Sequence, residues 1–214
     1  MQPYHDLFAE ISQCADALAL CGDLTNLGKT REAEILAQDL RSCTIPVFGV
    51  LGNHDHESGQ LQEVVHILQD AGMHFLENQT HELQGVGFAG VKGFGTRMLS
   101  AFGEGAIKRF VAEAVDETMR LENALRMIRS ERRVVILHYS PITATLAGEA
   151  PELFPFLGSS RLAETIDRYE VNAVLHGHAH HGTYSGATAR GIPVYNCAQH
   201  VVKENGRPYA LIEI

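Results

Sequence analysis

Asp, Asn and His recur in this chain at the ends of apolar runs, where they are placed for chemistry rather than for packing. Gly22-Asp23 closes the run 17–21, Gly52-Asn53-His54-Asp55 closes 45–51, His138 closes 133–137, and Gly177-His178-Ala179-His180 follows 171–176. Asp and Asn supply hard oxygen donors and His an imidazole nitrogen, a mixture suited to Mn²⁺, Fe or Zn²⁺. Before His178 the glycine permits a tight backbone, and the His-x-His spacing can aim both rings at adjacent positions. Any one of these residues alone would be an ordinary turn or capping residue. Open α/β sheets gather ligands at strand C-termini, so several such ends stopping in ligand-type residues point to one converging site.

The elements that must hold these side chains are legible in the apolar spacing. Residues 5–14 read as a helix with Leu7, Phe8, Ile11 and Cys14 on one face, and 32–40, 60–71, 104–129 and 161–169 as further helices. Short buried strands are expected at 17–21, 45–51 and 73–76. A β-type pattern is expected at 81–90, 133–138, 171–176, 192–196 and 209–213. Residues 141–160, with Pro141, Gly148, Pro151, Pro155 and Gly158, read as a surface loop. Strands alternating with helices give an α/β fold, or a layered α+β one.

Length and composition bound the function. The 214 residues suit one domain over 1–214, and 45% hydrophobic with 20% charged residues is a globular balance. Seventeen Lys and Arg against 26 Asp and Glu give a net charge of −9, which argues against a nucleic-acid partner bound through a basic face. No apolar stretch approaches the ~20 residues of a membrane span, and His5, Asp6, Glu10 and Asp16 break any secretory signal. A cytoplasmic protein with no membrane partner is expected. Cys14, Cys21, Cys43 and Cys197 have no CxxC spacing and read as thiols. No heptad or apolar stripe predicts an oligomeric state.

The ordered set Gly22-Asp23, Gly52-Asn53-His54-Asp55, His138 and Gly177-His178-Ala179-His180 resembles the calcineurin-like metallophosphoesterases. The resemblance implies two stacked β-sheets flanked by helices, a four-layer sandwich. It makes Asp23 similar to a carboxylate bridging two metal ions, Asn53, His138 and His178 similar to ligands of one ion, and His180 similar to a ligand of the other. His54 is similar to a histidine that contacts phosphate and protonates the leaving oxygen, and Asp55 would orient it. The implied activity is metal-dependent hydrolysis of a phosphomonoester or phosphodiester, with hydroxide attacking in line between divalent ions. The implied partner is a small-molecule phosphate ester.

One family feature has no counterpart. Members carry an Asp-x-His motif on a strand before the first helix, and no such strand precedes Asp23 here. His5-Asp6 has the reverse order on a helical face. We expect the 214-residue form to lack that first strand, to hold about one divalent ion tightly and to have low activity. The alternative is a catalytically weak scaffold that keeps the fold and binds a protein; retention of His54 with the ligand set speaks against it.

Two glycine motifs have simpler readings. Gly28-Lys29-Thr30 ends a stretch with five residues, not four, after Gly22, and Asp23 stands inside it, so a loop before a helix is expected. Gly85 to Gly90 matches GxGxxG, but a glycine-containing strand is the better account. His56 is expected to line the pocket, His66, His74 and His81 to lie on the surface, His176 to be packed, and His181 to sit on the rim. Asn196 and Cys197 could approach the site. Lys92, Arg97 and Lys108 are candidates for phosphate contact.

Overall fold

The structure, a computed structural model, describes residues 3–77, 79–92 and 104–214. Helix and strand alternate first through α1 (His5–Ile11), β1 (Leu18–Cys21), α2 (Thr30–Leu40), β2 (Val47–Val50), α3 (Leu61–Asp70) and β3 (Met73–Phe75). There follow β4 (His81–Leu83), β5 (Val86–Val91), α4 (Glu104–Met127), β6 (Arg132–Leu137), α5 (Phe154–Leu157), α6 (Ser160–Ile166), β7 (Ala173–His176), β8 (Ser185–Ala187), β9 (Pro193–Asn196) and α7 (Gln199–Glu204). Strands β1-β2-β3 form a parallel three-stranded sheet, and a six-stranded sheet runs β4-β5-β6-β7-β9-β8. In the larger sheet β5, β6, β7 and β9 are parallel, with antiparallel β4 and β8 at its edges.

The two sheets stack on Phe48, Val50 and Leu76 from one side and Val134 and Ile136 from the other. The alternate strand positions face helices. Val47, Leu51 and Phe75 pack under Phe8, Ile11, Leu36, Val64 and Leu68, whereas Val135, Leu137 and Val174 pack under Leu121, Leu125, Leu162 and Ile166. Both faces of each central strand are therefore buried, which is why β2 and the Val134–Leu137 part of β6 read as unbroken apolar runs. The four-layer order of helices, small sheet, large sheet and helices matches the expected sandwich.

Three local expectations are corrected. Residues 141–160 are not one open loop: they hold 3₁₀ turns at Thr143–Leu146 and Pro151–Leu153 and the short α5, and Ser140 bridges Gly158. Residues 209–213 form no strand, because they pair with no described neighbour; Tyr209 instead donates its hydroxyl to Glu10 at 2.9 Å. Strand β8 and helix α7 are additions to the expected elements: Ser185-Gly186-Ala187 has no apolar alternation, and α7 has only six residues. The Gly28-Lys29-Thr30 segment is the entry to α2, and after the turn at Gly85 residues 86–90 lie in β5, the expected glycine-containing strand.

Candidate metal centre

The register of the parallel strands sets the site. Cys21 pairs with Val50, so Gly22-Asp23 and Gly52-Asn53 leave the small sheet side by side. Ile136 pairs with Leu175 in the large sheet, and the Gly177 amide donates to the His138 carbonyl at 3.1 Å, placing His138 next to His178. Asp23, His138 and His178 offer ligand atoms that all lie within 4.8 Å of one another. Asn53 Oδ1 lies 2.9 Å from His138 Nε2. Four of the five expected metal ligands are thus brought together. His180 is exposed and outside the three-donor set, its ring 5.3 Å from that of His200.

Glycines let the backbone come this close. A side chain at Gly22, which has φ +85°, would run into the His138 ring, and one at Gly52 would overlap the Asp23 carboxylate. A Cβ at Gly177 would sit 2.6 Å from the Cys21 carbonyl. Asp23 and His178 themselves take positive φ, 51° and 66°. Such left-handed backbone costs on the order of 1–3 kcal/mol at a non-glycine residue, and it persists where surrounding contacts impose it.

Protonation follows from burial. His138 is 1% exposed, and burial drives its pKa down to about 3, so the ring is neutral. Its Nδ1 donates to the Cys21 carbonyl at 2.8 Å, which leaves a lone pair on Nε2. That lone pair faces Asp23 Oδ1 at 3.4 Å and, with the amide oxygen turned inward, Asn53 Oδ1. Acceptors turned on one another repel unless a positive charge lies between them, and a divalent cation satisfies them together. Burial, then neighbouring His138, also lowers His178 to about 3. Its Nε2 donates to the Phe156 carbonyl at 3.3 Å, leaving Nδ1 as the lone-pair atom. The donor set fits a borderline divalent metal.

His54 projects at the rim of this centre. Its amide donates to Asp23 Oδ1 at 3.0 Å, and its ring Nδ1 donates to the Asn26 carbonyl at 2.8 Å with Glu57 at 3.4 Å. Burial pulls its pKa down, but the Asn26 bond and the carboxylates of Asp23, Glu57 and Asp55 outweigh that and raise it overall. Asp55 orients this turn differently from expectation. It does not bond the His54 ring: its oxygens accept from Thr25 N at 2.8 Å, Thr25 Oγ1 at 2.7 Å, Gly52 N at 2.8 Å and Leu24 N at 3.2 Å. A carboxylate enclosed by four donors ties the Asp23 loop to the Asn53 loop, so it positions backbone.

The remaining histidines sort by environment. His66 and His74 are exposed; His81 is half-buried, its ring 5.5 Å from Phe48 and 4.7 Å from His74. His176 is buried and bonded to Gly177 O and Thr145 Oγ1, each at 2.8 Å. His181 is exposed, its amide donating to Glu149 at 2.8 Å. His56 turns inward with Nε2 buried and without a hydrogen-bond partner, and burial, then Lys92, lowers it to about 4. Lys92 pairs with Glu117 at 3.8 Å, Lys108 is exposed, and Arg97 lies outside the described residues.

Two contributors have no place among the expected site residues. Tyr139 packs its ring 4.4 Å from His178 and 5.2 Å from His138. Its position directly after His138 is the available signal. His200, near the start of α7, faces His180. Asn196, expected only to approach the site, is buried and donates to Ala179 O at 2.7 Å, fixing the loop between His178 and His180. The Cys21 thiol, raised by its hydrogen bond to Cys197 and by burial, ties the end of β1 to the turn leading into α7.

Residues 3–182 match the calcineurin-like phosphoesterase family. The chain belongs to that family. Its fold is similar to that of phosphopantetheinyl hydrolase (PptH) from Mycobacterium tuberculosis, at 16% identity and a TM-score of 0.64, over 94% of this chain and 87% of that one. It is also similar to TT1561 of Thermus thermophilus, at 18% identity and a TM-score of 0.53, over 92% and 86% of the respective chains. No curated protein matches the chain in sequence. Membership of a phosphoesterase family makes the chain a hydrolase-fold protein with a site for divalent metal. No helix among the described residues is long and apolar enough to cross a membrane.

Proposed function

We propose that this calcineurin-like phosphoesterase is a metal-dependent phosphatase or phosphodiesterase whose centre is held by Asp23, Asn53, His138 and His178. The convergence of Asp23, His138 and His178 donors within 4.8 Å carries the reading. When bound, the metal would neutralise phosphate charge and activate water for attack on phosphorus. Asp23, Asn53 and the neutral imidazoles fix the ion's place, and the Cys21 and Phe156 carbonyls hold those rings in the ligating tautomer. His54, whose pKa is raised by the Asn26 carbonyl and neighbouring carboxylates, donates a proton to the leaving oxygen. The donor count supports one strong ion in the 214-residue chain. The free thiols fit a reducing compartment.

The test is hydrolysis of p-nitrophenyl phosphate and its bis ester with added Mn²⁺, followed by mononucleotides, cyclic nucleotides, sugar phosphates and phosphopantetheine esters. Turnover should require the metal, and His54→Ala should lower kcat by roughly 10²-fold or more while metal affinity holds. Equal rates in wild type and variant would remove the proton-donor role. Unchanged metal binding in His138→Ala would remove the assigned centre.

A further inference from the structure

Exposed apolar side chains gather beside the metal centre. Single ones are ordinary on a protein surface, whereas neighbouring ones at the edge of a site mark a contact face. Beyond β6 the chain runs through His138 and Tyr139 to Ser140, which pins the segment around α5: the Ser140 amide donates to Leu157 O at 3.0 Å, and the Ser159 amide to Ser140 O at 2.9 Å. That segment carries Phe156, whose carbonyl accepts the His178 Nε2 hydrogen at 3.3 Å. The Phe156 side chain is nonetheless 44% exposed, and Leu153, one turn earlier, is 47% exposed. The Phe156 ring leans on Phe110, with centroids 5.7 Å apart, which continues the apolar face onto α4. On the His54 side, exposed Leu27 follows the Asn26 carbonyl that takes the His54 ring.

The face is stiff and carries no cation of its own. Pro151 and Pro155 open the 3₁₀ turn and α5, fixing backbone angles there, so little freedom is lost when a ligand covers the segment. From Ser140 to Ser160 there is no Lys or Arg, and the two charged residues, Glu149 and Glu152, are acidic. Glu113 of α4 adds negative potential at Tyr139. The cations closest to Phe110 in the chain, Lys108 and Arg109, belong to α4. An anionic tail laid along Leu153 and Phe156 would face Glu152 and no cation of that segment.

We propose that this face receives the alcohol part of the substrate, a phosphate ester whose alcohol is uncharged and apolar, and that Phe156 and Leu153 select it. Continuity decides the occupant: residue 156 is bonded directly to His178, so a group esterified to a phosphate at that centre has this face as its neighbour. The inference rests on the phosphoesterase reading above and names its substrate class.

The test separates binding from turnover. Alkylphosphonates from ethyl to octyl, which have no ester bond to cleave, are titrated by calorimetry into the full chain loaded with Mn²⁺, and the matching alkyl phosphates are assayed for phosphate release. A fully buried CH₂ is worth about fourfold in affinity and a half-covered one about twofold. From ethyl to octyl, Kd should therefore fall on the order of 50-fold, with kcat/KM of the phosphates rising in parallel. A carboxylate at the end of the hexyl chain should weaken binding roughly tenfold or more. Phe156→Ser and Leu153→Ser should each cut the octyl-to-ethyl affinity ratio about fivefold, and Phe156→Leu should keep most of it. Because the ratio is taken within one variant, any change in metal loading cancels. Met127→Ser, at an exposed residue ending α4, should leave the ratio unchanged. Affinity that does not vary with chain length, or a ratio untouched by both Ser variants, overturns the proposal. Chain-length-dependent binding without hydrolysis of any mono- or diester would keep this face and remove the phosphoesterase reading; hydrolysis of p-nitrophenyl phosphate with no chain-length trend would remove this inference alone.

Discussion

Glu77 is a buried carboxyl that the fold holds in the wrong charge state for neutral water, and replacing it with Gln should make that visible. Its Oε1 accepts the Leu51 amide at 2.6 Å, one residue before Gly52, while Oε2 is buried without a partner. Burial is the main force raising its pKa from 4.5 to about 7; the like charge of Glu117 adds to it, and the Leu51 bond and Lys92 oppose it. The folded state therefore keeps a proton that the unfolded chain gives up. Because the folded pKa is the higher one, the stability contributed by the protonated carboxyl is complete below pH 4.5 and is lost as pH rises to about 7. At 1.36 kcal/mol per unit, the loss is about 3 kcal/mol. Glu77→Gln keeps an acceptor for Leu51 N and cannot ionise. Urea denaturation of metal-free wild type and variant across this range should show wild type losing about 3 kcal/mol relative to the variant, mostly between pH 5 and 7. Any fixed penalty for the Gln amide shifts the difference without tilting it. A difference in stability that stays flat with pH would refute the reasoning.

Two further substitutions probe how the site is built. Asp55→Asn turns an amide NH₂ toward donors that the carboxylate now satisfies, and unsatisfied buried groups cost ~1–3 kcal/mol each. It should lower both stability and metal affinity, measured by urea denaturation and dialysis, whereas a purely catalytic Asp55 would leave both intact. Gly22→Ala places a methyl against the His138 ring on backbone at φ +85°. It should weaken metal binding by more than tenfold, comparable to losing a supporting partner, measured by equilibrium dialysis against Mn²⁺.

The layered fold is legible because burial on both faces writes itself into short sequence windows. Val47 to Val50 and Val134 to Leu137 carry no polar side chain, and polar residues follow where the chain leaves the core, at Asn53 and His138. The strands that escape or mislead the pattern are those whose state depends on a distant neighbour. Ser185 to Ala187 is a strand only because Pro193 to Asn196 lies beside it, while 209–213 has the pattern but no described partner. Asp55 stands out by its place after His54, yet its bonds run to Thr25 and Leu24, about thirty residues away, and no local spacing encodes that reach.

The same distinction separates the metal centre from the His180–His200 ring pair. Asp23, Asn53, His138 and His178 stand within three residues of a strand end, so strand register largely delivers them to one point, and the sequence shows the strands. His200 follows β9 by four residues, within a short helix, and its meeting with His180 depends on how the loop after β7 folds back. That fold is set by Asn196, whose side chain bonds the Ala179 carbonyl and the Ala198 amide and so joins the His180 loop to the start of α7. One buried amide thus links the two rings through their backbones. A contact delivered by such a link carries no signature in the spacing of its own neighbours.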